Sequence, residues 1–202
     1  MNKLIYTVFL ILTLTLTVAL IPTESEAQIY TDTVRLHILA NSDSEFDQAL
    51  KLDVRNFVLE KYSQKLSNFK STEAAVSAIQ DLIPSIEADI NEYLLSRGVA
   101  YFCTVEIGEE WYDTRKYENF TMPRGVYYSL RIMLGGAEGK NWWCVMYPPM
   151  CLDLATENAP RDDGILDYTK EEITLITRGD YSIKFKLLEL VSGAIREVSK
   201  NG

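Results

Sequence analysis

Histidine occurs once in this chain, at His37, so any Ser-His or Cys-His mechanism has a single candidate base. Basic residues are in deficit too: 20 Lys+Arg stand against 29 Asp+Glu, a formal charge of −9, which leaves no basic stripe for nucleic acid or an anionic membrane surface. Three cysteines permit one disulfide and leave one thiol over. No Gly/Ser linker, internal repeat or low-complexity tract divides the chain, and no set of His, Cys and acidic residues has metal-site spacing. Residues 135–140 superficially suggest a phosphate loop. That loop is one residue short of the Walker spacing, and Asn141 stands where Ser or Thr would hold magnesium, so neither a nucleotide nor any other cofactor is expected.

What is there begins with a leader. Lys3 precedes an apolar, Thr-containing run from Leu4 to Ile21, Pro22 ends it, and Ser25 and Ala27 put small residues at −3 and −1 of a cut before Gln28. Residues 1–27 therefore read as a secretory signal peptide, or as an N-terminal anchor if uncleaved, since the run is eighteen residues long. Residues 28–202 suit one exported domain.

Residues 34–40 form a short strand with Leu36, Ile38 and Ala40 on one face and Arg35, His37 and Leu39 on the other. Asn41, Ser42, Asp43 and Ser44 are helix-capping residues, with Ser42 and Glu45 spaced as a capping box. In the helix that follows, Phe46, Ala49, Leu50, Val54, Phe57, Val58 and Tyr62 form the apolar face, and Asp47, Lys51, Asp53, Arg55 and Lys61 the polar one. A second helix runs from Ser71-Thr72 to Gly98 and should kink or divide at Pro84. From Val99 the period becomes two, with Tyr101, Cys103, Val105 and Ile107 on one side. Residues 111–117 give a further short strand. Residues 126–134 and 142–147 are strong strands, expected to pair as a hairpin across the turn at 135–140. Residues 156–167 read as a surface loop, 171–177 is ambiguous between helix and strand, and 183–198 is a C-terminal helix. The fold class is α+β: a mostly antiparallel sheet packed by two N-terminal helices and a C-terminal helix.

The most unusual stretch is Asn141-Trp142-Trp143-Cys144-Val145-Met146-Tyr147-Pro148-Pro149-Met150-Cys151, with two of three Trp, two of three Cys and a Pro-Pro pair. It reads as a strand ended by a stiff turn. Export favours a Cys144–Cys151 disulfide across that turn; the competing reading makes Cys144 a nucleophile with His37 as base. Cys103 alternates with apolar residues and reads as a small buried hydrophobe. Trp142 and Trp143 point to opposite faces, so one is core and the other is covered by a helix or exposed as an anchor for a partner or a sugar ring. Adjacent acids such as Glu109-Glu110 read as solvated.

Two segments together carry a resemblance. Arg35-x-His37-x-x-Ala40-Asn41-Ser42-Asp43-x-x-x-Asp47-Gln48-x-x-Lys51 and Asn141-Trp142-Trp143-Cys144-x-x-x-Pro148-Pro149-x-Cys151 resemble the signature segments of the stage II sporulation protein R family of endospore-forming bacteria. Thr114-Arg115-x-Tyr117 and Pro123-x-Gly125-x-Tyr127-x-x-Leu130-Arg131 look like family segments between them. The chain departs from the family at Lys140, where histidine is common, and at Asp113, where proline is common. The resemblance implies a protein exported from the forespore into the space between forespore and mother cell. There it would activate a membrane aspartic protease that processes the precursor of sigma-E, as a signal and not as an enzyme. On that reading the candidate contacts for the protease are His37, Asn41, Asp43, Asp47, Trp142, Trp143 and Pro149, chosen because polar residues at element ends are poorly explained by packing. The same polar residues suit a structural role, with Asn41, Ser42 and Asp43 capping the helix and Arg35 pairing with Asp47. Two other classes stay open: a Cys-His hydrolase of wall or peptide material using Cys144 and His37, and a wall module reading glycan with Trp142 or Trp143.

Overall fold

The computed structural model describes residues 2–20, 24–66, 69–117, 120–148 and 168–177. By internal contacts the chain falls into two units, one of residues 1–28, 113–125 and 170–202, the other of residues 29–112 and 126–169.

The larger unit holds the sheet. Strands β1 (Val34–Leu39), β2 (Cys103–Tyr112), β5 (Gly125–Leu134) and β6 (Asn141–Tyr147) lie in the order β2-β5-β1-β6. β1 runs parallel to β5, with His37 beside Arg131, and antiparallel to β6, with His37 beside Trp143. The sheet is thus mixed, and the expected hairpin of residues 126–134 with 142–147 does not form, because β1 inserts between them. The physical reason is apolar matching: Leu36 and Ile38 of β1 lie level with Leu130 and Ile132, and all four are fully buried.

Helices α3 (Glu45–Leu66) and α4 (Thr72–Ser96) cover one face of this sheet, α3 against β1 and β6, α4 against β2 and β1. Leu50, Val54, Val58, Tyr62 and Leu66 of α3 and Ala75, Ile79, Ile86, Ile90 and Leu94 of α4 join Leu36, Ile38, Cys103, Val105, Leu130, Ile132 and Leu134 in one core. Each large apolar side chain buried here contributes about 2 kcal/mol relative to exposure. Four face assignments on α3 differ from the sequence pattern. Phe46 and Ala49 are exposed, whereas Asp47 and Lys51 are each only 5% exposed. The helix turns its first polar residues inward because polar partners, not apolar ones, await them there.

α4 begins where expected, and Ser71 caps it, its hydroxyl accepting from Ala74 N–H. Pro84 lies exposed within an unbroken helix, so the expected division does not occur. Gly98, with φ of 72°, ends α4 in the left-handed conformation that other residues rarely adopt. β6 stops at Tyr147, followed by a cis bond to Pro148.

The smaller unit carries α1 (Asn2–Leu20), the two-stranded β3 (Arg115–Lys116) and β4 (Thr121–Met122), and α5 (Lys170–Thr177), which packs on β4. The expected strand over 111–117 is therefore the end of β2 plus β3, and the ambiguous 171–177 is helical. Helix α2 (Glu24–Thr31) spans the boundary between the units. Leu4, Phe9 and Leu12 of α1 are exposed. Among the described residues no helix is long and apolar enough to cross a membrane, several side chains in the second half of α1 lying outside them. The expected loop 156–167 and C-terminal helix 183–198 lie outside the described residues.

Candidate functional site

The two signature segments meet at the upper end of β1. Since β5 and β6 flank β1, the connection at 135–140 must arch over the end of β1, and there it fastens to the segment that leads into α3. Gly139 N–H donates to Ala40 O (2.9 Å), Glu138 N–H to Asn41 O (3.2 Å), Gly136 N–H to Asn41 Oδ1 (2.9 Å) and Lys140 N–H to Asp43 Oδ1 (2.7 Å). Gly139 packs so closely that an added Cβ would run into the Ser42 carbonyl, and Gly135, at φ 56°, would meet the Asn41 side chain. Ala137 also adopts a positive φ of 53° in this arch.

Asp47 is the hub beneath it. Its carboxylate accepts from Asn41 Nδ2 (2.9 Å), Ser42 Oγ (2.5 Å) and Tyr101 OH (2.6 Å), and its N–H donates to Ser44 Oγ (3.1 Å). Burial pushes this carboxyl up, but the hydrogen bonds from Ser42, Tyr101, Asn41 and Ser44 outweigh it and hold the pKa at about 2. The helix cap is thus Ser44 with Asp47, in place of the Ser42–Glu45 pair expected from spacing. Lys51, one turn on, donates to Gln48 Oε1 (2.7 Å) and to Lys140 O (2.8 Å), closing the ring of contacts. Its pKa is lowered by burial, with Asp43 opposing.

The other face of the sheet carries a second cluster. His37, 5% exposed, turns Nδ1 to both carboxylate oxygens of Glu110, at 2.9 and 3.1 Å. Glu110 feels burial raising its pKa, yet the contact with His37, helped by Ser129 and Tyr112, leaves it below the usual range. An ionised carboxylate can only accept, so Nδ1 carries the proton, and the buried Nε2 has no hydrogen-bond partner among the described residues. Trp143 stacks on the imidazole, centroids 5.4 Å apart at 23°. Arg131 pairs with Glu106 and lies 4.0 Å from Glu110. Beside them the fully buried Arg35 sits over the rings of Tyr112 (4.3 Å) and Tyr127 (5.1 Å), and its Nε donates to Cys144 O (3.3 Å). The expected Arg35–Asp47 pair is not formed, since Arg35 and Asp47 lie on opposite sides of the sheet.

Trp142 and Trp143 do point to opposite faces. Trp142 packs against the helix-side core, under Arg55 at 5.2 Å, while Trp143 joins His37 on the other side; both are half-buried. Cys144 lies level with Leu36 on the helix side, whereas His37 faces away from it, so the two are not brought together as nucleophile and base. Cys144 is moreover disulfide-bonded, while Cys103 is free and buried, its thiol pushed up to about 12 by burial. Pro149 and Cys151 lie outside the described residues. Glu110 departs from the solvated pair that the adjacent acids Glu109-Glu110 suggest, since His37 holds it. The signal available was the alternation of β2, which puts Glu106, Glu110 and Tyr112 on one side; which strands stand opposite was not legible. Among the described residues, no group of three or more His, Cys, Asp or Glu is placed to hold a metal ion.

These features define an α+β protein in which one signature segment locks the other into place, with Glu110 paired to the buried His37 on the sheet face away from α3 and α4. Comparison with known proteins then places it. Residues 30–157 match the family described as stage II sporulation protein R, and the chain belongs to that family. It is 34% identical over 140 residues to stage II sporulation protein R of Bacillus subtilis (strain 168), covering 69% of this chain and 62% of that protein, so it spans less than two thirds of that relative's length. No solved structure matches the chain.

Proposed function

We propose that this sporulation protein is an exported signal that binds the extracytoplasmic part of a membrane aspartic protease of the sporulation septum and thereby triggers processing of the sigma-E precursor in the mother cell. It needs no chemistry of its own: a ligand that binds the active arrangement of the protease better than the inactive one shifts the balance. The observation that carries this reading is the placement of Cys144, disulfide-bonded and on the opposite face from His37, in a member of a family named for sporulation and not for an enzyme activity. In keeping with it, residues 1–27 act as signal peptide or anchor, residues 28–202 occupy the space between forespore and mother cell, and Cys151 is the disulfide partner of Cys144.

Of the proposed contacts, Asn41, Asp43 and Asp47 already use their side chains inside the chain, which points to a shaping role for them. The half-buried Trp143, stacked on the buried His37, is the better candidate to meet the protease, with His37, Trp142 and Pro149 as further candidates. Reconstitution tests the reading: protease and precursor in membranes are scored for cleavage with and without the purified protein. Cleavage above baseline only with the protein is expected, and baseline cleavage in an otherwise competent system overturns direct activation.

A further inference from the structure

Strand β2 is an edge of the sheet, and only half of that edge is protected. Its alternation is unbroken: Cys103, Val105 and Ile107 face the helices, while Glu106, Glu110 and Tyr112 reach Arg131, His37 and Ser129 on the other side. In such a strand the N–H and C=O groups of the odd-numbered residues all point the same lateral way. Cys103 shows which way. Its N–H donates to Asn91 Oδ1 (2.7 Å) and its carbonyl accepts from Asn91 Nδ2 (3.3 Å), while Val105 N–H donates to Glu87 Oε2 (2.8 Å). Both partners belong to α4, so these groups point away from β5 and outward. Two α4 side chains thus stand in for a neighbouring strand over residues 103–105, a known way of blunting an edge.

The cover ends there. Beyond it, among the described residues, nothing caps the outward N–H of Ile107 or Glu109. Gly108 is exposed, and a Cβ built on it would meet nothing within 4 Å. Glu109 is exposed and makes no ion pair among the described residues. On the helix-facing side, past the reach of α4, Trp111, Val126 and Tyr128 keep 46%, 45% and 39% of their surface exposed, unusual for three large apolar residues on adjoining strands.

We propose that residues 107–111 are a strand-addition site for an extended segment of a partner protein in which lysine or arginine alternates with β-branched or aromatic residues. Main-chain hydrogen bonds to Ile107 and Glu109 supply attachment, Trp111 and Tyr128 receive the apolar side chains, and charge selects the partner. Of the three acids along this strand, Glu106 is paired with Arg131 and Glu110 with His37, which leaves the exposed Glu109, in no ion pair among the described residues, as the charge that a basic strand would meet. A second copy of the chain fits poorly, because antiparallel self-pairing sets this acidic strand opposite itself. The inference rests on the reading that the protein works by binding another protein, and it supplies the chemistry of one contact.

The test uses the purified chain and two ten-residue probes, one alternating lysine with valine and one alternating glutamate with valine. The readout is amide hydrogen exchange by NMR. The basic probe slows exchange of the Ile107 and Glu109 amides at least tenfold and the acidic probe does not. Glu109→Lys weakens the basic probe about tenfold while keeping the amide, and Glu109→Pro removes the amide and abolishes protection of Ile107. Should the proline variant fail to fold, the lysine variant decides. Unchanged exchange at these amides, protection elsewhere only, indifference of binding to Glu109→Lys, or protection that grows with protein concentration alone, which marks a second copy, overturns the proposal. No protease is present, so failure here leaves activation standing, and failure of reconstitution leaves this result standing.

Discussion

Replacing Gly139 by alanine probes the arch over β1 directly. The new Cβ meets the Ser42 carbonyl and the Ala40 side chain, both parts of the rigid entry to α3, so the arch must lift. Lifting stretches three contacts together: Gly139 N–H to Ala40 O, Lys140 N–H to Asp43, and Lys51 Nζ to Lys140 O. A neutral hydrogen bond contributes about 1 kcal/mol net and one to a charged group about 1.5–3 kcal/mol, so partial loss of all three costs about 3 kcal/mol. With a urea slope of about 2 kcal/mol per molar, the unfolding midpoint falls by about 1.5 M at unchanged slope. Gly136→Ala is the control, because its Cβ makes only ordinary contacts at 3.6 Å or more, and it should cost under about 1 kcal/mol. Equal midpoints for the two variants would refute the claim that the arch is clamped to the residues after β1.

Asp47 makes stability depend on acid. Its pKa is about 2 in the folded chain against about 3.9 unfolded, so its contribution of about 2 kcal/mol is complete above pH 4 and is lost as pH falls towards 2. Asp47→Asn should be less stable at pH 7 and should flatten the wild-type decline between pH 4 and 2; an unaltered decline in chemical denaturation would count against the hub. Thiol titration should find no reactive thiol in native protein, one after denaturation without reductant, from Cys103, and three after reduction; three without reductant removes the disulfide. His37→Ala should retain the capacity to trigger precursor cleavage to within a few-fold in the reconstituted assay, whereas loss by a hundredfold or more, in a variant that still folds, would revive a catalytic role. Trp143→Ala should weaken that response at least tenfold with unfolding little changed, and a fully active variant would move the contact elsewhere.

Much of the local structure was legible in residue order, because it depends on neighbours within a few positions. The period-two runs of β1, β2, β5 and β6, the start of α4 near Ser71, its stop at Gly98 and the opposed tryptophans all follow from short-range geometry. Even the two signature segments could be picked out, though not their relation to each other. Strand neighbours were not legible: β1 lies about a hundred residues before β6, and a hairpin across 135–140 satisfies the same pattern until β1 takes the place between. From that one insertion the rest follows. The arch must cross β1, so Asp47 and Lys51, polar residues on a helix whose pattern assigns them to solvent, are drawn inward to hold it. The insertion also aligns His37 with Trp143 and brings it within reach of Glu110, while placing Cys144 on the side away from it. Sequence alone thus determined which elements exist and which side chains share a face, since both are set by backbone periodicity. Only the tertiary structure decided which faces meet, because that depends on how apolar surfaces match between segments far apart in the chain.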